Sequence, residues 1–330
     1  MTNTATWHTE PLLGFDLETT GVNVETARIV TAATVDYKPG DTIDTLPDRA
    51  RLWLANPGIL IPAEATVVHG ITTEDARTNG RPAAQVADEI ADSLAAALST
   101  GIPVVAMNGR YDFTVLDREL RRYSLPTLQQ RLGSEVTPGP VIDPYILDKQ
   151  ADKYRKGSRK LEALAAHYGV TLADAHTADA DAFAAVQVAV AIAEKYPELQ
   201  VHPQQLHVWQ IRWAHMQAVG MQEHLRKMNP HAVVDSEWPL VPLTGERKIR
   251  AALADLAERW EQMAKSGPDF GDELLVDEPT PVQLRQHERA ATYGKAVADL
   301  REVLRTGRIP HDLMTDAELE QRGTSEETTR

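Results

Sequence analysis

The seven residues Phe15-Asp16-Leu17-Glu18-Thr19-Thr20-Gly21 decide how this chain reads. Leu12, Leu13 and Phe15 make the run leading into them apolar, and Thr19-Thr20-Gly21 is a turn signal that ends it. The pattern predicts a buried strand over residues 11–17. Side chains at i and i+2 of a strand share a face, so Asp16 and Glu18 stand side by side. Carboxylates that close repel and raise each other's pKa. A divalent cation removes the conflict, because hard cations take oxygen ligands. An isolated Asp-x-Glu is commonly a solvated face or a helix start, so the metal reading depends on what recurs downstream.

Working outward, residues 28–37 (RIVTAATVDY) are rich in β-branched side chains and predict a second strand, and residues 51–54 a third. Residues 66–72 (TVVHGIT) lead into a loop. Residues 85–98 carry helical apolar spacing after Pro82, a helix-start residue. Residues 103–107 (PVVAM) read as a short buried strand before a helix at 111–123, and Val141-Ile142-Asp143 as a fifth strand. Helices are predicted at 158–168 and 178–196, the second Ala/Val-rich and buried against the sheet. Three strands followed by alternating helices and strands give an α/β fold, a mixed five-stranded sheet flanked by helices, over residues 8–200.

Beyond that domain the pattern becomes helical. Leu206, Trp209, Trp213 and Met216 fall on one face of a helix at 203–228 and predict packing against the first domain. The histidines here are too scattered for a zinc site. Gln205-Leu206-His207-Val208-Trp209 is loosely similar to a sliding-clamp peptide, but such peptides bind extended and this one lies inside a helical pattern. Residues 230–242 read as a linker, and 248–265 and 281–306 as amphipathic helices. Residues 201–310 thus form a helical extension, and 311–330 an acidic tail expected to be disordered.

The chain has 330 residues, a formal net charge of −14 and no cysteine. The missing cysteine excludes disulfides and thiolate metal sites and fits a reducing interior. No signal peptide or membrane-length apolar run is evident, so a cytoplasmic protein without membrane contact is expected. The acidic balance has the wrong sign for a phosphate-binding surface, but metal carboxylates are neutralised by their cations. The charge is also uneven: Lys149, Lys153, Arg155, Lys156, Arg159 and Lys160 face only Asp152. That stretch reads equally as a solvated loop or as a phosphate contact.

Three further positions complete a series. Asp112, in Asn108-Gly109-Arg110-Tyr111-Asp112, would sit in the first turn of the helix after the 103–107 strand. Asp181 lies in the first turns of the last helix, and His176 five residues before it. Singly, the acids would only complement helix dipoles. Together, Asp-x-Glu on a first strand, Asp after a later strand, and His with Asp at the final helix resemble the DEDDh 3′–5′ exonucleases, the group of the DNA polymerase III epsilon proofreading subunit. Val68-His69-Gly70-Ile71-Thr72, Ile142-Asp143 and Leu161-Glu162-Ala163-Leu164-Ala165 support the resemblance, which covers roughly residues 10–197.

The resemblance implies an RNase H-like fold and two divalent cations, Mg²⁺ or Mn²⁺. Asp16, Glu18 and Asp181 would hold the first ion; Asp16 would bridge to the second, supported by Asp112. His176 would be the general base. Leu17, Thr19, His69 and Asn108 would bind the 3′-terminal nucleotides. The expected substrate is a single-stranded 3′ end, DNA favoured over RNA, releasing nucleoside 5′-monophosphates. An RNA-trimming enzyme and a non-catalytic polymerase or repair accessory protein are the alternatives. Residues 201–310 could bind a protein partner, and the oligomeric state, a dimer included, is left open. Asp174 and Asp179 are near the last motif, but the His-to-Asp spacing selects Asp181.

Overall fold

The structure, a computed structural model, describes residues 6–133, 138–172 and 177–243. Strand β1 (Leu12–Thr19) forms where apolar residues fill both faces, with only Asp16 and Glu18 partly open. Strands β2 (Ile29–Tyr37) and β3 (Ala50–Asn56) follow as an antiparallel meander. Two short helices, α1 (Ala63–His69) and α2 (Thr73–Asn79), precede the two-residue strand β4 (Arg81–Pro82) and the amphipathic helix α3 (Ala83–Ser99). Strand β5 (Val104–Val105), helices α4 (Arg110–Arg122) and α5 (Leu128–Arg131), strand β6 (Val141–Ile142) and helices α6 (Pro144–Ala151), α7 (Leu161–Tyr168) and α8 (Ala178–Lys195) complete the sheet domain. Helix α9 (Pro203–Arg226) follows.

The sheet order is β4-β3-β2-β1-β5-β6. Strand β2 runs antiparallel to its neighbours, while β1, β5 and β6 run parallel. The RNase H-like mixed sheet flanked by helices is therefore present, with six strands where five were expected. The addition, β4, pairs with β3 through Arg81 and Pro82, where the sequence showed only a helix start. Residues 66–69, expected to lead into a loop, close α1, which ends at Gly70 in the left-handed region (φ 76). Because β1, β5 and β6 are parallel, the segments after them emerge at one end of the sheet. That end is where an open α/β sheet usually binds its ligand.

Helix α8 lies against β1 and β2, and its alanines let it come close. At Gly14 a Cβ atom would stand 2.8 Å from the Ala182 carbonyl oxygen and 3.0 Å from Val186 Cγ2. The first obstacle is backbone, so the helix itself would have to move. Gly14→Ala is expected to cost about 1–3 kcal/mol, measured by urea unfolding. An unchanged midpoint would show that the helix is not held at this distance.

Helix α9 covers the open edge of β6. Val141 N donates to His207 Nδ1 at 3.1 Å, Asp143 N to Gln210 Oε1 at 2.7 Å, and Gln210 Nε2 to Val141 O at 2.9 Å. Two side chains thus satisfy backbone groups that a further strand would otherwise pair. Leu206, Trp209 and Trp213 pack on the core as expected, whereas Met216 is exposed. Residues 230–241, read as a linker, instead lie along α4: Trp238 is 3% exposed, Val241 N donates to Thr114 Oγ1 at 3.1 Å, and Arg118 donates to Val241 O at 2.9 Å. The segment's prolines suggested a spacer, but its tryptophan and valine are buried.

The compact unit accordingly runs over Met1–Val241, and the boundary expected near residue 200 falls inside it. A second unit, Pro242–Arg330, holds the helices expected at 248–265 and 281–306 and the acidic tail, all outside the described residues.

Burial pushes the His207 imidazole down to about 4, against a weaker pull from the Val141 backbone. The unfolded chain, at an ordinary value near ~6.5, takes up the proton first as pH falls. His207 therefore contributes stability above about pH 6.5 that is lost as pH drops toward 4. Between pH 7 and 4.5 the loss should be about 2–3 kcal/mol. Urea unfolding of His207→Gln should show a correspondingly shallower acid limb, and identical limbs in the two proteins would refute the assignment.

Candidate active site

The pleat of β1 turns Asp16 and Glu18 to one face, and α8 brings Asp181 to them from its first turn. One oxygen from each of Asp16, Glu18 and Asp181 lies within 4.8 Å of the other two. Asp179, two residues earlier on α8, is not in this group. Asp112 comes from the first turn of α4, 4% exposed, and its Oδ1 accepts from Leu17 N at 3.2 Å. That bond ties the strand carrying the Asp16/Glu18 pair to the helix carrying Asp112, the fourth acid.

The electrostatics follow from crowding. Burial first, then the charges of Asp112, Glu18 and Asp181, hold the Asp16 carboxyl well above its ordinary value. Burial and Asp181 push Glu18 up to about 7. Asp112 is likewise raised, mainly by burial, against hydrogen bonds from its own and the Leu17 backbone that favour its charged form. Carboxyls that burial and mutual repulsion push toward the neutral form are a donor set suited to a hard divalent cation, which relieves both.

The residues expected to bind substrate surround this cluster. Leu17 is buried in β1. Thr19 Oγ1 lies 2.5 Å from the Tyr111 hydroxyl and 3.0 Å from Gly21 O, and its single proton serves one of these two contacts. Tyr111 also donates to Gly21 O, so its hydroxyl fastens the turn after β1. Burial pushes that phenol up to about 12. His69 ends α1; its Nδ1 accepts from Ile71 N at 3.1 Å, and its Nε2 is buried without a hydrogen-bond partner among the described residues. Burial lowers its pKa, against a pull from the Thr19 backbone beside it. His176 lies outside the described residues, as does Asp174.

Asn108 takes a positive φ of 55°, which asparagine tolerates better than most residues. Its N–H donates to Asp143 Oδ1 at 2.9 Å, and Gly109 N to Oδ2 at 3.1 Å. Asp143 also accepts from Tyr145 N at 3.0 Å and Trp238 Nε1 at 3.3 Å. Burial pushes this carboxyl up to about 6 while its donors pull it back. Tyr111 and Asp143 were not singled out as site residues. The available signals were a tyrosine directly before Asp112 and an Asp143-Pro144 helix start, where Asp caps and Pro occupies the first turn.

Comparison with known proteins gives three findings. The exonuclease family model RNase T matches residues 13–189. A DNA polymerase III PolC-type chain of Lacticaseibacillus paracasei is 28% identical over 168 residues, 51% of this chain and 10% of that one. The chain thus spans about a tenth of the length of that curated relative. Among solved structures, Exonuclease I from Methylocaldum szegediense aligns at 23% identity and TM-score 0.45, covering 58% of this chain and 42% of that one. E. coli Exonuclease I in complex with a dA16 oligonucleotide aligns at 20% identity and TM-score 0.47, with the same coverage. No helix among the described residues is long and apolar enough to cross a membrane. The family model takes in more than half of the 330 residues and every carboxylate of the cluster, and the chain belongs to the RNase T exonuclease family.

Proposed function

We propose that the protein is a metal-dependent 3′–5′ exonuclease that removes nucleoside 5′-monophosphates from single-stranded 3′ ends. The observation that carries this reading is the approach of Asp16, Glu18 and Asp181 to within 4.8 Å of one another in a chain of the exonuclease family. With Asp112 these residues would hold two divalent cations, Mg²⁺ or Mn²⁺. Bound cations supply charge neutralisation and Lewis acidity for an in-line displacement at phosphorus.

The chain's own groups supply the rest. His176, five residues before Asp181, would take the proton of the attacking water, since an imidazole titrates near neutral pH. Leu17 and Thr19 on the turn side of β1, with His69 beside them and Asn108 at the end of β5, would hold the terminal nucleotide. Tyr111 would keep that turn in place through its bonds to Thr19 and Gly21. The match to a PolC-type DNA polymerase chain supports DNA over RNA. The carboxylate set is complete, which favours an enzyme over an accessory protein. A protein-binding role is kept for the C-terminal extension, residues 201–310, where Val208, Met216 and Val219 of α9 are exposed.

The test is digestion of 3′-labelled and 5′-labelled single-stranded DNA, duplex DNA and RNA of one sequence, with Mn²⁺ or Mg²⁺. Mononucleotide should appear first from the 3′ label and fastest from single-stranded DNA. No product from any substrate at high enzyme would sink the reading, and faster RNA digestion would transfer it to an exoribonuclease.

A further inference from the structure

We propose that the groove from Asn108 past Tyr145, Lys149 and Lys160 to Met221 holds the single strand on the 5′ side of the nucleotide being removed. The inference rests on the exonuclease reading and adds to it a track for the remainder of the substrate. Two hollows make up the groove, a smaller one of about 150 Å³ and a larger one of about 610 Å³. They share Asn108, Tyr145, Lys149 and Met221, so they adjoin. Asn108, which lines both hollows, stands just ahead of α4, whose first turn carries Asp112, so the groove begins four residues from one acid of the site. The far wall includes Met221 of α9, outside the residues 13–189 matched by the family model.

Charge is the second observation. In a chain of net charge −14, six cations fall within residues 149–160, and Lys149, Arg159 and Lys160 of these line the groove together with Glu162. The six divide into two sets. Asp148 is fully buried and accepts from Arg155 at 3.1 Å, from Arg159 at 2.6 Å and from the Tyr168 hydroxyl at 2.9 Å. Those two arginines are turned inward and fix the shape of the segment between α6 and α7. Lys149, Lys153, Lys156 and Lys160 make no ion pair with a described residue.

Aromatic groups accompany these lysines. The Lys149 ammonium lies 5.0 Å from the centre of the Tyr145 ring, and that of Lys153 5.8 Å from the ring of Tyr154, which is 87% exposed. Tyr145 lines the groove and Tyr154 lies outside its lining. A cationic groove with an aromatic ring on its wall matches an unpaired strand, whose phosphates need positive charge and whose bases offer faces for stacking. The bases of a duplex already stack on one another and leave this ring without a partner.

The test is binding of the full-length protein to 5′-fluorescein oligothymidylates of three and twelve nucleotides in EDTA, over a series of salt concentrations. Wild type should bind the twelve-mer at least about tenfold more tightly than the three-mer, because only the longer strand reaches the lysines. In the Lys149→Glu/Lys160→Glu double variant this length gain should collapse toward one. The slope of log K against log salt should fall by about 1.4 for two lost single-strand contacts. Lys160→Glu alone, at an exposed position, should show about half that change, which covers any disturbance of packing at Lys149. Wild-type length gain and slope in both variants would overturn the proposal. With Mn²⁺ added, wild type that releases nucleotide but shows no length gain overturns the groove alone. Wild type that shows the gain but never releases nucleotide keeps the groove and removes the exonuclease reading.

Discussion

Asp16→Asn and Asp181→Asn are each expected to lower nucleotide release by about 10²–10³-fold, the scale on which loss of one preorganised stabiliser of developing charge acts. Asp179→Asn should leave the rate near wild type, because that side chain is outside the cluster. The assay is single-turnover release from a labelled oligonucleotide. If Asp179→Asn is the inactive variant, the register of the last motif is wrong. The same Asp16 substitution should act on stability with the opposite sign. Burial and three neighbouring carboxylates raise the Asp16 pKa. A raised native pKa contributes stability at low pH that is lost as pH rises through it. Each unit of the rise amounts to about 1.4 kcal/mol above both values. Without metal at pH 8, Asp16→Asn should therefore melt higher than wild type, by roughly 2–4 °C for each kcal/mol relieved. A lower melting temperature would mean that Asp16 has a favourable partner in the metal-free protein.

Divalent cations should stabilise the fold, and more strongly in alkali than in acid. Ions and protons compete for the same oxygens, and Glu18 releases its proton only near 7. At a cation concentration of about a hundred times Kd the stabilisation is about 2.7 kcal/mol, or roughly 5–10 °C of melting temperature. The expected result is a full shift with Mn²⁺ at pH 8, a much smaller one at pH 6, and little at either pH in Asp16→Asn. Equal shifts at both pH values would place the ion elsewhere, away from the protonated carboxylates. This measurement does not depend on turnover, so it tests the metal reading even if the substrate is wrong.

Of the acidic centre, local geometry makes only the Asp16/Glu18 pair legible, because a strand's alternation sets the two side by side from their spacing alone. Asp112 and Asp181, each in the first turns of a helix, join the pair in the sequence through the family resemblance. What escaped was non-local or locally contradictory. Residues 66–69 carry β-branched valines that argue against a helix, yet Pro62 opens α1 and Gly70 closes it. Strand β4 has two residues, one of them proline, and no pattern of that length is readable. Asp143 looked like the end of a strand; its importance comes from donors on Asn108, Gly109 and Trp238, far away in sequence. The prolines of 230–242 suggested a spacer, and only the burial of Trp238 shows that the segment belongs to the core.

The way α9 meets β6 bears on how this protein can be handled. A fragment trimmed to the family match at residue 189, or to the apparent boundary near 200, would lose His207 and Gln210 together. Its last strand would then offer bare donors and acceptors to any passing chain, the condition that favours edge-to-edge self-association. In this chain the stretch matched by the family model is therefore shorter than the compact unit, which runs to Val241. In this protein the helix after the catalytic core serves as a lateral seal, and the shortest sensible expression fragment ends no earlier than Val241.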